Sequence, residues 1–185
     1  MRAELRDGAI LIRPYCAADV DLVYAAARES VKELSRWLPW CHEQYAIEET
    51  REFILARDDA WKNNIDYGFG VFDATTGQFL GGVGLSQVNR IHQIANLGYW
   101  VRTSATGRGT ATRAARLAAQ FGFEQAGLGR IEILAAVANT ASRRVAEKAG
   151  ATREGVLRRR LLTHGEIHDA VMFSLIPEDL AVPVP

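Results

Sequence analysis

The segment VRTSATGRGTATRAARLAAQFGF, residues 101–123, runs from an apolar stretch through a short polar loop into an alanine-rich helix. Gly107 and Gly109 stand one residue apart at the join. A strand that turns on glycines into a helix calls for a sheet with helices laid on its faces. The same join can do more than turn the chain. Glycines let backbone approach a ligand closely, and the free N–H groups and dipole of a first helical turn favour negative charge. The segment is therefore either a plain turn or an anion site.

The rest of the chain supplies the sheet. Residues 9–15 read as a strand stopped by Pro14, and residues 17–30 carry Val20, Val23, Tyr24 and Ala27 at helical spacing. Residues 31–46 are broken by Pro39 and hold Trp37 and Trp40, and residues 47–64 form a further helix. Alternating apolar residues over 67–90, with a turn at 73–78, predict a hairpin, and residues 92–102 a third strand. A helix follows Gly109, then a buried strand over 130–138 and a helix over 139–149 with Asn139 at its start and Gly150 at its C-cap. A last hairpin turns at 163–166. The order β-α-α-α-β-β-β-α-β-α-β-β predicts an α/β (α+β) fold: a mixed, mostly antiparallel central sheet flanked by helices, with one parallel step across the helix after Gly109. Residues 1–176 read as one domain, and 177–185 as a loose tail.

Several function classes are disfavoured. Lys+Arg and Asp+Glu both number 22, so no bulk positive charge marks a nucleic-acid binder. Cys16 and Cys41 form no CxxC, and the four histidines show no ligand spacing, so no metal site is expected. The amino terminus lacks the apolar core of a signal peptide, and no apolar run approaches a membrane span. The expectation is a cytoplasmic protein with two free thiols and no membrane partner.

Three phosphate-binding readings of the loop compete. A P-loop requires a lysine after its second glycine, and none follows here. A dinucleotide loop requires a third glycine where Thr112 stands, and an acidic residue after the next strand, which ends in Ala138 and Asn139 instead. The third reading is a pyrophosphate held by the backbone at the helix N-terminus, with Arg108 and Arg113 adding charge from the sides.

Three stretches taken in order, GYWV (98–101), TGRGTATRA (106–114) and NTASRRVAEKAGATREGVLR (139–158), resemble the GNAT N-acetyltransferase superfamily and, within it, the RimJ/RimL type. The family loop Q/R-x-x-G-x-G/A is matched at Gly109 and Ala111, with Thr106 in place of Gln or Arg; Asn139, Ser142, Gly150, Glu154 and Gly155 match a second run. The resemblance implies that Thr106, Gly107, Arg108, Gly109, Thr110 and Ala111 hold the pyrophosphate of acetyl-coenzyme A. Its pantetheine arm would then run between the strands at 92–102 and 130–138. It also implies backbone N–H groups of Trp100 and Val101 at the thioester, Asn139 on the pantetheine amides and Ser142 as general acid. From the residues alone, Asn139 serves equally as a helix N-cap and Ser142 as an ordinary first-turn serine.

Attack of an amine on a thioester also needs a proton acceptor. Asn96 and Leu161 stand where relatives carry glutamates, and an amide cannot take a proton. His92, His164, Glu166, His168 and Asp169 are the alternatives. Trp37 and Trp40 either pack a helix end or wall the acceptor's carbon skeleton. Arg158, Arg159 and Arg160 read as a solvated edge. The implied activity is direct acetyl transfer to a primary amine, by analogy the N-terminus of a protein such as a ribosomal one, with a small-molecule amine or a non-catalytic acyl-CoA module as alternatives. Proteins of this type are often homodimers, and no segment marks an interface.

Overall fold

Every strand of the sheet is antiparallel to its neighbours except at one seam, and that seam organises the molecule. The computed structural model describes residues 4–181. The strands are β1 (Leu5–Arg6), β2 (Ile10–Pro14), β3 (Tyr67–Asp73), β4 (Phe79–Asn89), β5 (Ile94–Val101), β6 (Arg130–Ala136), β7 (Thr152–Thr163) and β8 (Glu166–Leu175). They lie in the order β1-β2-β3-β4-β5-β6-β8-β7, with β5 and β6 parallel. The helices are α1 (Val20–Glu29), α2 (Val31–Leu34), α3 (Ile47–Lys62), α4 (Thr110–Glu124), α5 (Thr140–Lys148) and α6 (Pro177–Leu180). This is the mixed, mostly antiparallel sheet flanked by helices that the element order predicts.

Small residues let α4 lie close on one face. Ala114, Ala115, Ala118 and Ala119 are buried against Leu85, Leu97, Ile131 and Ile133. At Gly122 a side chain would have its Cβ 2.7 Å from Ile131 Cδ1 and 2.9 Å from Leu85 Cδ1, so only glycine fits the contact without a shift. Phe121 then joins Trp61, Tyr67 and Phe69 in an edge-to-face cluster with ring centroids 5.0–5.3 Å apart. The opposite face is covered by α1 and α3 through Tyr15, Val20, Val23, Ala26, Ile54, Phe72 and Phe79.

The structure differs from the sequence expectations at three places. β1 is a two-residue strand with no periodicity to betray it. Residues 31–46 hold only the four-residue α2 before turns around Pro39. At the carboxyl end Pro177–Leu180 is a helical turn, not loose tail. Asp179 Oδ2 accepts the Ile176 N–H (2.9 Å), and Arg116 Nη2 donates to the Leu180 carbonyl (3.1 Å). Residues 182–185 of the expected tail lie outside the described residues.

Glu154, one of the residues matched by resemblance, ties three strands together. Its two oxygens accept from Arg130 Nη1 and Nη2, both at 2.7 Å, and Oε1 also accepts from Ser174 Oγ at 2.7 Å. The guanidinium hydrogen bonds, aided by Ser174, hold its carboxyl at about 2, well below the ordinary 4.5. A carboxyl whose pKa is lowered by folding stabilises the native state above its unfolded pKa and loses that contribution as pH falls. Thermal melts should therefore show Glu154→Gln less stable than the wild type at pH 7, with the gap closing between pH 4.5 and about 2. A gap that stays constant with pH would mean the clamp does not act through charge.

Candidate active site

β5 and β6 pair only at Ile94 with Arg130, Ala95 with Ile131 and Asn96 with Glu132. Beyond Asn96 they part. β6 continues on β8 as far as Ala136 paired with Ala170, and β5 continues on β4 as far as Val101 paired with Gly81. Side chains hold the wedge open. Glu29 at the end of α1 accepts from Arg102 Nε at 2.9 Å and from the Ser104 N–H at 2.8 Å, and the Thr103 N–H donates to Ser30 Oγ at 2.9 Å. The strand end and the loop behind it are thus drawn toward α1.

The pleat decides which amides face the gap. The Arg102 N–H donates to the Leu80 carbonyl at 2.9 Å, and the β4–β5 register is regular from Gly81–Val101 to Ser86–Asn96. In an antiparallel ladder alternate residues pair, so Trp100 and Gly98 turn their N–H groups to β4. Val101, Tyr99 and Leu97 turn theirs into the gap. Of the expected donors, Val101 turns its N–H into the gap and Trp100 turns its N–H to β4, while Tyr99 shares the direction of Val101, because neighbouring amides of a strand point in opposite directions.

At the mouth of the gap Gly107 and Gly109 both adopt left-handed backbone, with φ of 76° and 77°. Gly109 caps α4, and no side chain bonds the first turn. Its leading N–H groups are therefore the free donors that every helix start presents. Space above Gly107 is open: a Cβ there would meet nothing within 4 Å. Thr106, Gly107, Gly109, Thr110 and Ala111 line a cavity of about 480 Å³ together with Trp100, Val101, Asn139 and Ser142. Arg108, between the two left-handed glycines, is exposed and does not line it. Nor does Arg113, whose Nη1 is 2.9 Å from Asp7 Oδ2. Arg144 and Lys148 on α5 supply the cations at this wall instead, on a helix whose exposed face gave no signal of a ligand.

α5 presents its first turn to the same cavity. Asn139 Oδ1 accepts the Ser142 N–H at 3.0 Å, the N-cap bond read from the sequence, which leaves the amide Nδ2 as a donor. Tyr99 Oη, across the gap, donates to the Ser142 carbonyl at 2.8 Å and lies 3.1 Å from Ser142 Oγ. Burial pushes the Tyr99 phenol up to about 12, with the Ser142 hydrogen bond opposing, so the phenol stays protonated. The aromatic of GYWV was legible in sequence; its meeting with Ser142, 43 residues on, was not.

A second cavity of about 610 Å³ lies on the α1–α3 face. Leu38, Gly98, Tyr99 and Trp100 line both cavities, so the two join at β5. The paired tryptophans are divided between them. Trp40 lines the second cavity and meets Trp100 edge-on with centroids 5.6 Å apart, whereas Trp37 lines the first. The turns around Pro39 thus divide the two indoles between the joined cavities. Proton acceptors in the second cavity are His42, Glu49, Glu52 and Asp66. His42 Nε2 and Glu49 Oε2 are 3.0 Å apart, and Asp66 pairs with Arg57 at 2.9 Å while burial raises its pKa. His92, His164, Glu166, His168 and Asp169 line neither cavity; Asp169 Oδ1 instead accepts the Arg159 N–H at 2.7 Å. Among the described residues no cluster of three or more His, Cys, Asp or Glu could hold a metal ion, and no helix is long and apolar enough to cross a membrane.

A sheet parted between two parallel strands, with a free helix N-terminus at the opening and a second cavity behind, is the arrangement that a resemblance to the GNAT acetyltransferases leads one to expect. The comparisons agree: the model of the acetyltransferase (GNAT) domain matches residues 9–152, and the chain belongs to that family. It is 30% identical over 173 residues to the "Putative ribosomal N-acetyltransferase YdaF" of Bacillus subtilis (strain 168), with 92% of each chain covered. Among solved structures it resembles the "putative ribosomal-protein-serine acetyltransferase from Vibrio cholerae", at 29% identity, TM-score 0.82, and coverage of 95% of this chain and 98% of that one. RimJ of Mycobacterium smegmatis in complex with CoA-disulfide shares the fold at 24% identity and TM-score 0.88, over 99% of this chain and 90% of that one. The chain is thus an N-acetyltransferase of RimJ/RimL kinship that takes its acetyl group from acetyl-CoA. The free α4 amides, the open space over Gly107 and the unpaired edge of β5 fit such a donor.

Proposed function

We propose that the chain transfers acetyl directly from acetyl-CoA to the N-terminal α-amine of a protein. The observation that carries this is the junction of the two cavities at Leu38, Gly98, Tyr99 and Trp100, which lets thioester and amine meet without a covalent enzyme intermediate. Thr106, Gly107, Gly109, Thr110 and Ala111 hold the pyrophosphate, with Arg144 and Lys148 beside it. Asn139 donates from Nδ2 to the pantetheine arm. The N–H groups of Val101 and Tyr99 face the thioester oxygen, where charge develops as the amine adds. Ser142 hydrogen-bonds the departing sulfur, and Tyr99 orients Ser142.

An α-amine titrates near ~8, so part of it arrives neutral. The second cavity offers carboxylates and the His42 imidazole to take the remaining proton through water, which Asn96 and Leu161 cannot do. The acceptor class rests on relatives whose names refer to ribosomal proteins, and the enzyme is accordingly read as cytoplasmic. One feature supports a small polyamine instead: Glu52, on the cavity wall, has no ionic partner among the described residues. Mass spectrometry of ribosomal proteins from a strain lacking this gene separates the two. Loss of one acetyl group from a protein N-terminus is the expected result, and an unchanged set of N-termini would remove ribosomal proteins as the substrate.

A further inference from the structure

The floor of the second cavity is bare backbone. Gly68 on β3 pairs with Gly84 on β4, and Gly84 with Gly98 on β5, so three glycines cross the sheet in one row. The next row is Gly70, Gly82 and Trp100. Residues opposite one another across a sheet share a face, and here that face looks toward α1 and α3. A Cβ on Gly98 would meet nothing within 4 Å, so the trough is open where it joins the first cavity.

Two polar atoms converge over this trough. A Cβ placed on Gly82 would collide with both the Tyr15 hydroxyl and Trp100 Nε1, the latter at 2.7 Å. Both residues line the cavity, and neither polar group has a hydrogen-bond partner among the described residues. Tyr15 is 4% exposed, and burial keeps its hydroxyl protonated. Both polar atoms are accessible from the cavity, so water meets them until a ligand takes its place. The indole N–H is a donor only, and a hydroxyl donates as well as accepts. What they jointly match is an oxygen acceptor. A protonated polyamine has no such atom; an α-aminoacyl chain has one, its first carbonyl oxygen, three bonds from the amine nitrogen.

We propose that Trp100 Nε1–H and the Tyr15 hydroxyl bind the first carbonyl of the acceptor, and that they select an α-aminoacyl chain lying on the glycine floor over an amine lacking that carbonyl. This rests on the second cavity being the acceptor site. Trp100 and Tyr15 are then specificity residues: they act on which amine enters and take no part in proton transfer.

The test compares kcat/KM for a short peptide with a free N-terminal serine, for butylamine and for spermidine, in the wild type, Trp100→Phe and Tyr15→Phe. Phenylalanine keeps an aromatic ring at each position, and acetyl-CoA binding with far-UV circular dichroism shows that each variant is folded. The wild type should favour the peptide over both amines by tenfold or more. That preference should fall at least tenfold in each folded variant, mainly through KM. Equal preference in the wild type and in either folded variant would overturn the inference while leaving peptide acetylation intact. A wild type that acetylates spermidine and no N-terminal peptide would overturn both the inference and the proposed acceptor class.

Discussion

Ser142→Ala should lower kcat by about 10²-fold while leaving the acetyl-CoA dissociation constant within about twofold. The size follows from what the hydroxyl is asked to do. A departing thiolate is a stable anion near neutral pH, since ordinary thiols titrate near ~8.5. It needs a hydrogen bond more than a full proton, and a hydrogen bond to a charged group contributes roughly 1.5–3 kcal/mol. Every 1.4 kcal/mol is about a factor of ten. The geometry adds a second arm. Tyr99 Oη is 2.8 Å from the Ser142 carbonyl and 3.1 Å from its Oγ, so the phenol fixes both the first turn of α5 and the hydroxyl. Tyr99→Phe should cost less than Ser142→Ala, and the double variant little more than Ser142→Ala alone, because the two act as one unit. Single-turnover rates at saturating acetyl-CoA give the comparison. If Ser142→Ala turns over at the wild-type rate, the leaving sulfur is served by another group, and the N-cap of α5 is all that Ser142 completes.

The longer helices and strands are legible because each carries a local period, which β1, α2 and α6 are too short to show. Alternation marks β3 to β5, the alanine stripe marks α4, and Asn139 just past an apolar strand marks the start of α5. The glycine loop was legible for the same reason: its signal lies within six consecutive residues. What stayed hidden comes from residues far apart in sequence. The parting of β5 from β6 depends on Glu29 and Ser30 reaching a loop 73–75 residues on, and nothing in either strand announces it. Nothing near Arg113 in sequence announces its partner Asp7, 106 residues earlier. The glycine trough needs three strands in register, although each glycine alone reads only as a weak spot in a strand. Trp37 and Trp40, three residues apart, read as a pair until the turns around Pro39 sent them to different cavities. Strand polarity was the subtlest loss. Trp100 and Val101 are neighbours in the family-like GYWV, but the pleat makes only one of them a donor to the gap.

The second large effect concerns the loop itself. Gly107 and Gly109 are left-handed, and a Cβ on either has room, with nothing nearer to Gly109 than Arg113 Nε at 3.9 Å. Substitution there is opposed by backbone conformation and not by collision. A left-handed L-residue costs roughly 1–2 kcal/mol, and a β-branched one is a stronger outlier. Without ligand the loop can relax to a right-handed form and escape that cost. With ligand it must return, because the α4 amides face the pyrophosphate only in the glycine conformation. Gly109→Val should therefore weaken acetyl-CoA binding at least tenfold with little change in unliganded stability. Acetyl-CoA at ~100 times its wild-type dissociation constant adds about 2.7 kcal/mol, or roughly 5–10 °C for a domain of this size. The same concentration should give about half that shift in Gly109→Val and almost none in the double variant with Gly107→Val. Melts at one ligand concentration read all three. An undiminished shift in the double variant would place the pyrophosphate elsewhere on the chain. A lost shift with unchanged unliganded melting would show that the two glycines serve the ligand and not the fold.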